Sequence, residues 1–291
     1  MDKYLVDNRY LVPFDNSFSA TSSSTKPPKD DPGQKKNKKE LKKLKKELRD
    51  LQDILYAHNK HAVLCIFQAI DAAGKDSTVR AVTSGINPAG FQVFSFKAPS
   101  KEELEHDFLW RTSKRLPERG RIGIFNRSYY EEVLVVRVHP DFLNYQQLPQ
   151  FSDTKSFWEK RYKSIRDHEL HLSNSGIVIL KFWLNVSKEE QKNRFIRRIE
   201  RPDKNWKFSA GDLEERKHWD KYQSAFKDAL NATSRPWAPW YAIPADDKPF
   251  MRLSVASILA QQLKILDMNY PKLSDNEKSE LKKYKIELGN E

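Results

Sequence analysis

The segment Gln68-Ala69-Ile70-Asp71-Ala72-Ala73-Gly74-Lys75-Asp76-Ser77-Thr78 predicts the architecture of this chain. It follows the apolar run HAVLCIF at 61–67, which is typical of a buried parallel strand, and it precedes a helical run at 78–84. A strand, a tight turn ending in Gly-Lys and a helix form a phosphate loop, in which backbone N–H groups and a helix N-terminus converge on an anion. We therefore expect an α/β fold with a phosphate site at the end of its first strand.

The loop departs from the usual pattern G-x-x-x-x-G-K-[ST] at two positions. Ala69 replaces the first glycine, and we expect an ordinary backbone there because alanine disfavours positive φ. Asp76 stands where a magnesium-binding Ser or Thr is usual. Asp71 adds a carboxylate that would repel bare phosphate, which indicates a metal or a proton acceptor in the loop. A plain strand-to-helix turn with Lys75 at the surface is the alternative.

The composition favours a partner that carries many negative charges. The 291 residues have a net charge of +12 and a pI of about 9.5, which suits nucleic acid, an anionic membrane surface, nucleotides or phosphate polymers. The single cysteine, Cys65, allows no disulfide within the chain and fits a reducing compartment. No apolar run approaches about 18 residues and no signal-peptide pattern is present, so we expect a soluble, cytoplasmic protein.

The chain divides by composition into three parts. Residues 1–33 are rich in Ser, Thr and Pro and predict an irregular arm, 34–270 predict one domain, and 271–291 form a charged tail. Within the domain, we expect strands at 61–67, 91–96, 121–125, 177–184 and within 236–244, with a long helix at 151–172 among the helices between them. This alternation of about five strands with helices predicts parallel pairing and a three-layer α/β/α sandwich.

A basic amphipathic helix is predicted at 35–57. Its leucines recur at alternating spacings of three and four: Leu41, Leu44, Leu48, Leu51 and Leu55. One interpretation is a helix packed on the core with a solvated basic face. In the other, its first lysines contact a phosphate polymer or nucleic acid: Lys35, Lys36, Lys38 and Lys39.

Two further clusters point to phosphate chemistry. Asn126 and Arg127 follow the third predicted strand, where open α/β sheets place ligands. Asn126 stands where phosphate-loop enzymes usually carry an Asp for magnesium, and Arg127 is a candidate phosphate clamp; a capped helix start is the alternative. One face of a predicted helix carries three arginines: Arg194, Arg198 and Arg201. This face is either solvated, or it binds successive phosphates as part of a helical lid at about 194–232.

Several segments, taken in order, resemble the polyphosphate kinase 2 family. They are Asp71-Ala72-Ala73-Gly74-Lys75-Asp76, Phe108-Leu109-Trp110-Arg111, Phe125-Asn126-Arg127-Ser128-Tyr129-Tyr130-Glu131, Asn205-Trp206-Lys207-Phe208 with Asp212-Leu213, and Ala238-Pro239-Trp240-Tyr241. The match runs from about residue 40 to about residue 266. Within the family, the chain resembles the subgroup that acts on both nucleoside monophosphates and diphosphates. The resemblance lies in Gln68, three residues before Asp71, and in Glu131 after the third strand.

The resemblance implies a fold, an activity and partners. The fold is that of a thymidylate-kinase-like phosphate-loop kinase. The activity is reversible transfer of the terminal phosphoryl group of inorganic polyphosphate to AMP and ADP, giving ADP and ATP, with Mg²⁺ or else Mn²⁺ as the metal. GMP and GDP are further candidate acceptors. We expect no requirement for nucleic acid or a membrane, and a homo-oligomer, either a dimer or a tetramer.

The resemblance and the chemistry of the side chains together imply the site residues. We expect catalytic roles for Asp71, Lys75, Asn126 and Arg127. The expected polyphosphate contacts are Ala72, Ala73, Gly74, Lys75, Asp76, Ser77, Arg194, Arg198 and Lys207. The expected nucleotide contacts are Lys97, Arg111, Arg127, Tyr130 and Glu131. Asp71 is the expected metal ligand, with Glu131 as a second candidate. Glu131 stands where the diphosphate-preferring branch has Asn, so we expect AMP to be accepted as well as ADP.

Two rival functions share these features. An ATP-dependent nucleoside monophosphate kinase would have the same fold and loop, but the arginine-rich lid and the basic charge favour a polymeric donor. A non-enzymatic polyanion-binding module would use the basic helix and the arginine face, and it would not need Lys75.

Overall fold

Five parallel strands form a single sheet in the computed structural model, which describes residues 5–149 and 154–291. The strands are β1 (Ala62–Gln68), β2 (Phe91–Ser95), β3 (Ile122–Asn126), β4 (Ile177–Asn185) and β5 (Trp240–Pro244). Their spatial order is β2-β3-β1-β4-β5, and each neighbouring pair is parallel. The predicted parallel sheet is confirmed.

Helices cover both faces of this sheet, so the predicted three-layer sandwich is also confirmed. They are α1 (Gln34–His58), α2 (Lys75–Thr83), α3 (Lys101–Leu104), α4 (Trp110–Ser113), α5 (Val135–Val138), α6 (Lys155–Asn174), α7 (Lys188–Glu200), α8 (Ala210–Lys217), α9 (Trp219–Thr233), α10 (Lys248–Ile265) and α11 (Asp275–Gly289). Short 3₁₀ segments at Tyr129–Val133 and Asn205–Lys207 flank the candidate site described below. Among the described residues, none of the helices combines the length and apolarity that crossing a membrane requires.

Strand β1 lies at the centre of the core. All seven of its residues are buried, which explains why its apolar run does not alternate with polar residues. Its side chains divide between two hydrophobic clusters: Val63 and Phe67 belong to the cluster that includes residues of α1, α2 and α10, whereas Leu64 and Ile66 belong to the one with α6 and α9. Because burial of one such side chain stabilises by about 1.5–3 kcal/mol, β1 is a rigid base for the loop that follows it.

Helix α1 packs its leucine seam within the chain. Leu48 and Leu55 are fully buried in the cluster that also holds residues of α10, and Leu41, Leu44 and Leu51 are partly buried beside it. The predicted amphipathic helix is confirmed.

Residues 5–33 form an irregular arm, of which residues 10–12 lie along the open edge of β5. Val12 N donates to Trp240 O at 2.8 Å, and Leu11 forms an antiparallel bridge with Tyr241. Val6 and Val12 are buried. The arm therefore covers a sheet edge that would otherwise expose unpaired backbone groups.

Two predicted boundaries differ from the structure. The helix expected from residue 151 begins at Lys155, and residues 150–153 lie outside the described part of the chain. The lid expected at about 194–232 is shorter, because Phe226 and Leu230 of α9 are buried in the core against the sheet. The segments that overhang the phosphate loop are the end of α7 and residues 201–217.

Candidate active site

The loop between β1 and α2 has a tight and unusual backbone. Ala69 keeps an ordinary conformation, as predicted, but Ala72 has φ +60° and Gly74 has φ +111°. A left-handed alanine costs free energy, and such residues cluster at functional sites. The loop delivers the chain to the N-terminus of α2 at Lys75, where the first N–H groups of the helix lack intrahelical acceptors. This is the local geometry that binds phosphate.

Lys75 is buried inside the loop. Its Nζ donates to Ala69 O at 2.7 Å and to Ile70 O at 3.2 Å. Burial, together with the nearby charge of Arg127, lowers the pKa of Lys75 to about 8. A buried ammonium held mainly by neutral carbonyls is favourable for an approaching anion, so the alternative of a surface lysine in a plain turn is wrong.

Arg127 joins the loop to the segment after β3. Its Nη2 donates to Asp71 Oδ1 at 2.6 Å, and its Nη1 donates to Glu131 Oε2 at 2.9 Å. Glu131 and then Asp71 raise the pKa of the Arg127 guanidinium against the effect of burial. Arg127 also has φ +64°, so it is the second non-glycine residue of the site, after Ala72, with a left-handed backbone. The ends of β1 and β3 thus place one cation between two carboxylates.

Glu131 is held on both of its oxygens. In the amide orientation that satisfies every partner, Gln68 Nε2 donates to Glu131 Oε1 at 2.8 Å, while the Gln68 carbonyl oxygen accepts from Ser128 N at 3.0 Å. The other carboxylate oxygen accepts from Arg127. Glu131 is therefore a fixed positioning group beside the loop.

Asn126 and Lys207 both contact Asp76 of the loop. Asn126 Nδ2 donates to Asp76 Oδ1 at 2.7 Å, and Lys207 Nζ lies 3.5 Å from Asp76 Oδ2. Burial opposes ionisation of Asp76, but the hydrogen bond from Asn126 and the charge of Lys207 lower its pKa overall. Since Lys207 belongs to the segment over the loop, this ion pair joins that segment to the loop.

Arg194 has a different environment from the one predicted. It is buried, and its guanidinium donates to Ala72 O at 3.1 Å, to the carbonyl of Ala73, and to those of Ala245 and Asp246. Its Nε donates to Glu190. Arg194 therefore clamps the back of the phosphate loop, and its donors are occupied. Of the predicted arginine face, Arg198 and Arg201 are the members that remain partly exposed.

Two of the predicted nucleotide contacts lie behind the site. Tyr130 is fully buried, and its hydroxyl donates to Glu169 and accepts from Lys181. Arg111 is also buried, and its Nη1 donates to Lys97 O at 2.7 Å. Arg111 thus supports the segment that carries Lys97, whose own side chain is exposed toward the site.

A long groove of about 810 Å³ runs over the phosphate loop and beneath α7 and residues 201–217; we call it the catalytic groove. Its lining includes eleven cationic residues and three carboxylates. The cations are Lys75, Arg80, Lys97, Arg127, Arg194, Arg197, Arg198, Arg201, Lys204, Lys207 and Lys248. The carboxylates are Asp71, Asp76 and Asp212. Such an excess of positive charge in a groove raises the local concentration of polyanions.

A family model described as Polyphosphate kinase 2 (PPK2) matches residues 32–271. The chain belongs to the polyphosphate kinase 2 family. A relative from Rhodopseudomonas palustris, named ADP-polyphosphate phosphotransferase, is 57% identical over 236 residues, covering 81% of this chain and 82% of that protein. A relative from Meiothermus ruber, named AMP/ADP-polyphosphate phosphotransferase, is 46% identical over 219 residues, covering 75% of this chain and 78% of that protein.

A solved structure of the same family supports the fold. The crystal structure of polyphosphate kinase 2 from Arthrobacter aurescens TC1 superposes with a TM-score of 0.85 at 36% identity. The alignment covers 94% of this chain and 95% of that one. The phosphate-loop kinase fold of this polyphosphate kinase 2 chain is thereby established.

The carboxylates at the site suit a magnesium ion that is shared with phosphates. Within residues 5–149 and 154–291, no group of three or more His, Cys, Asp or Glu side chains forms a metal cage. Asp71 Oδ1 accepts from Arg127, but Asp71 Oδ2 has no hydrogen-bond donor among these residues. Mg²⁺ commonly binds through one or two carboxylates plus substrate phosphates. Asp71 fits that requirement better than Glu131, whose two oxygens are already engaged.

Several groups of this polyphosphate kinase 2 chain escaped the sequence analysis. Arg80 and Lys248 line the catalytic groove although neither lies in a recognised motif. Behind the groove, Lys181 Nζ contacts Glu169 Oε2 at 2.6 Å, and both side chains have no exposed surface. The sequence did contain a signal for this pair, because Lys181 lies in the middle of an apolar strand. A lysine is almost never fully buried unless it is paired, so a buried acidic partner could have been predicted.

Proposed function

We propose that this polyphosphate kinase 2 chain transfers the terminal phosphoryl group of inorganic polyphosphate to AMP and to ADP, giving ADP and ATP, and that the transfer is reversible. The observation that carries the proposal is the catalytic groove, with eleven cations against three carboxylates around a phosphate loop. Polyphosphate carries about one negative charge per phosphate along its length, so it needs an extended basic groove. A compact ATP donor does not need one.

The donor end of the chain would lie at the phosphate loop. Lys75 and the free N–H groups of the first turn of α2 would hold the phosphoryl group that is transferred. Arg198 and Lys207 approach the same space from above, where they would bind the following phosphates and exclude water. The loop requires glycine at position 74, because φ is +111° there and a Cβ would lie 3.2 Å from Met251 Cε.

The chemical step is a displacement at phosphorus. An oxygen of the terminal phosphate of the acceptor nucleotide forms a bond to the terminal phosphorus of polyphosphate. The bond from that phosphorus to its bridging oxygen breaks, and the shortened polyphosphate leaves with the electron pair. Since the attacking oxygen is already anionic, no strong base is required, and the protein contributes positioning and charge stabilisation. Arg127 would stabilise charge on the equatorial oxygens.

Mg²⁺ is part of the proposal, with Mn²⁺ as a second possibility. Asp71 would hold the ion together with phosphate oxygens and water, because Mg²⁺ retains several such ligands. When bound, the ion neutralises negative charge on the phosphates. Arg127 would then keep Asp71 oriented through its hydrogen bond to the other carboxylate oxygen.

The acceptor would lie beside Arg127 and Glu131. These residues also line a narrow cavity with Trp219 and Tyr222, which adjoins the catalytic groove at Asp71 and Arg127. One relative is named for ADP and another for AMP and ADP. Glu131 supports acceptance of AMP as well as ADP, because its fixed carboxylate would hold water, when AMP is bound, in the space that a diphosphate would otherwise fill. GMP and GDP are proposed as further acceptors.

The proposed setting is the cytoplasm, and the proposed assembly is a dimer or tetramer. The only cysteine, Cys65, is buried. The leucine seam of α1 is used within the chain and does not support self-association. The exposed apolar residues of α11 do support it: Leu281, Tyr284, Ile286 and Leu288.

The deciding experiment supplies AMP or ADP, Mg²⁺ and long-chain polyphosphate without ATP. We expect ADP to form from AMP, and ATP to form from ADP, while Asp71→Asn and Lys75→Ala remain folded and lose turnover by orders of magnitude. Formation of ADP from AMP only when ATP is added would show a nucleoside monophosphate kinase. Polyphosphate binding without turnover in any mixture would show a binding module.

A further inference from the structure

A second basic groove of about 380 Å³ lies between α1 and α2; we call it the α1 groove. Six of its ten lining residues are cationic, and none of the ten is acidic. The cations are Lys38, Lys42, Lys45, Arg80, Lys204 and Arg252. Lys38, Lys42 and Lys45 follow one another at spacings of four and three, so they share one face of the helix.

None of these cations forms an ion pair within 4.0 Å in the part of the chain that the structure describes, although the charge of Lys204 contributes to lowering the pKa of Asp203. Some other charges of α1 are paired: Lys43 lies 2.9 Å from Glu40, and Glu47 pairs with Lys264. Unpaired like charges around a concave surface repel one another, and that repulsion is relieved by a bound anion. The α1 groove differs from the rest of the helix face because cations from α1, α2, α10 and residue 204 line one concave surface.

Arg252 gives an independent indication of a ligand. Its Nε is buried and has no hydrogen-bond acceptor among the described residues. Burial, together with the neighbouring charges of Arg194 and Arg80, lowers the pKa of Arg252. A buried guanidinium N–H without an acceptor is costly. Arg252 as a whole is partly exposed and lines the α1 groove, so its guanidinium would gain an acceptor if the side chain turned toward a phosphate bound there.

The α1 groove continues the catalytic groove. Ser77, Arg80 and Lys204 line both of them, with Ser77 and Arg80 on α2 and Lys204 in the segment over the loop. The two grooves therefore adjoin through three shared residues, none of which is acidic.

We propose that the α1 groove binds the distal phosphates of a long polyphosphate chain while the terminal phosphate lies at the phosphate loop. The proposal rests on the proposed function and deepens it, because it assigns a second site to the same donor. Its consequence is a preference for long chains: a donor long enough to reach α1 gains contacts that a short donor lacks. Those contacts are exposed, so they weaken as salt is added.

The test compares two pairs of substitutions on α1. Lys42→Gln with Lys45→Gln removes two lysines from the α1 groove. Lys43→Gln with Lys46→Gln removes the same charge one position further along, from residues that line neither groove. For each protein, kcat and KM for polyphosphate are measured at saturating ADP over chain lengths from three phosphates upward, at low and at physiological salt.

We expect the Lys42/Lys45 variant to raise KM for long chains about tenfold at low salt, since two exposed charge contacts are lost. Its kcat and its KM for the shortest chains should match those of the Lys43/Lys46 variant. Equal KM values for long chains in the two variants, or an equal rise at every chain length, would overturn the inference. Absence of transfer by the unsubstituted protein would instead refute the proposed function.

A binding measurement identifies the ligand class. Labelled long-chain polyphosphate and a single-stranded oligonucleotide are each titrated against the two variants and the unsubstituted protein. We expect the Lys42/Lys45 variant to lose polyphosphate affinity. The slope of its log binding constant against log salt concentration should fall in magnitude by about 1.4, because two charge contacts are lost. If only oligonucleotide binding changes, the α1 groove is a nucleic-acid site and the inference is wrong.

Discussion

Arg127 Nη2 lies 2.6 Å from Asp71 Oδ1, and the same guanidinium donates to Glu131 through Nη1. This bridge connects the phosphate loop after β1 with the polar cluster after β3. The loop carboxylate is thus oriented before any substrate arrives, and the cation that orients it also lines the catalytic groove. Reaction geometry at this site depends on one planar side chain that holds two acids at once.

Arg127→Lys should therefore be a severe change despite keeping the charge. An ammonium cannot hold Asp71 and Glu131 in the same fork geometry, so we expect kcat to fall about 10²–10³-fold. The measurement is the steady-state rate of ATP formation from ADP and polyphosphate. Arg121→Lys, at an exposed pair with Glu118, is the matched control and should retain full activity. Near-normal kcat in Arg127→Lys would mean that the bridge is dispensable.

Glu131→Asn should change the choice of acceptor. Asparagine removes the carboxylate beside Arg127 and the space-filling charge that we assign to the AMP complex. We expect the rate with AMP to fall by at least about tenfold, a loss of about 1.4 kcal/mol, while the rate with ADP changes less. The ratio of the two rates in one protein preparation serves as its own control. An unchanged AMP rate would refute this role of Glu131.

The pH dependence should report on Lys75. Its pKa of about 8 in the free protein means that the charge is lost as pH rises through that value, so kcat/KM for polyphosphate should fall above about pH 8. Bound phosphate favours the ammonium, and kcat should persist to higher pH. Lys248 also lines the groove with a pKa lowered to about 8, so Lys248→Arg is the control. Loss of the inflection in that variant would assign it to Lys248.

The lowered pKa of Lys75 also has a consequence for stability. Between about pH 8 and the unfolded value of 10.5, the unfolded chain binds more protons at this residue than the folded chain. The contribution of Lys75 to the free energy of unfolding should therefore increase with pH over that window. The measurement is the free energy of unfolding in urea of Lys75→Met and of the unsubstituted protein, each at pH 7 and pH 10. We expect the variant to be the more stable protein, and we expect its advantage to be larger at pH 7 than at pH 10. A larger excess at pH 10 would contradict the assignment.

The buried pair behind the site should matter mainly for stability. Lys181→Met leaves Glu169 buried without its cation, and breaking such a pair costs about 3–5 kcal/mol. Urea unfolding measures the loss. The double variant Lys181→Met with Glu169→Leu should recover much of it, because the isolated charge is removed as well. If the double variant is as unstable as the single one, packing rather than charge would explain the cost.

The parts of the site that could be predicted are those encoded by contiguous residues. The strand–loop–helix at 62–83 and the polar segment after β3 are local patterns, and the carboxyl ends of adjacent parallel strands necessarily meet at one edge of the sheet. Asp71, Lys75 and Arg127 therefore came together as expected.

The parts that could not be predicted depend on burial. Arg194 and Arg198 are one turn apart on α7 with similar neighbours in sequence, yet Arg194 is buried under the loop while Arg198 keeps 26% of its side chain exposed. Which of them stabilises the loop and which faces the groove depends on where β5 ends and α10 begins, because Arg194 donates to the carbonyls of Ala245 and Asp246 between them. Tyr130 was misassigned for the same reason, since its partners Glu169 and Lys181 lie far along the chain.

The sequence was sufficient for the fold class, the phosphate loop and the charge of the ligand. Strand periodicity and glycine placement are patterns of neighbouring residues, and net charge is a property of the whole chain, so none of them requires knowledge of tertiary contacts. Tertiary packing was required for the rest: the bridge through Arg127, the clamp by Arg194 and the course of the basic grooves. Each of these depends on distances and burial between segments remote in sequence, and the same cation binds substrate or stabilises the loop according to whether water and ligand can reach it.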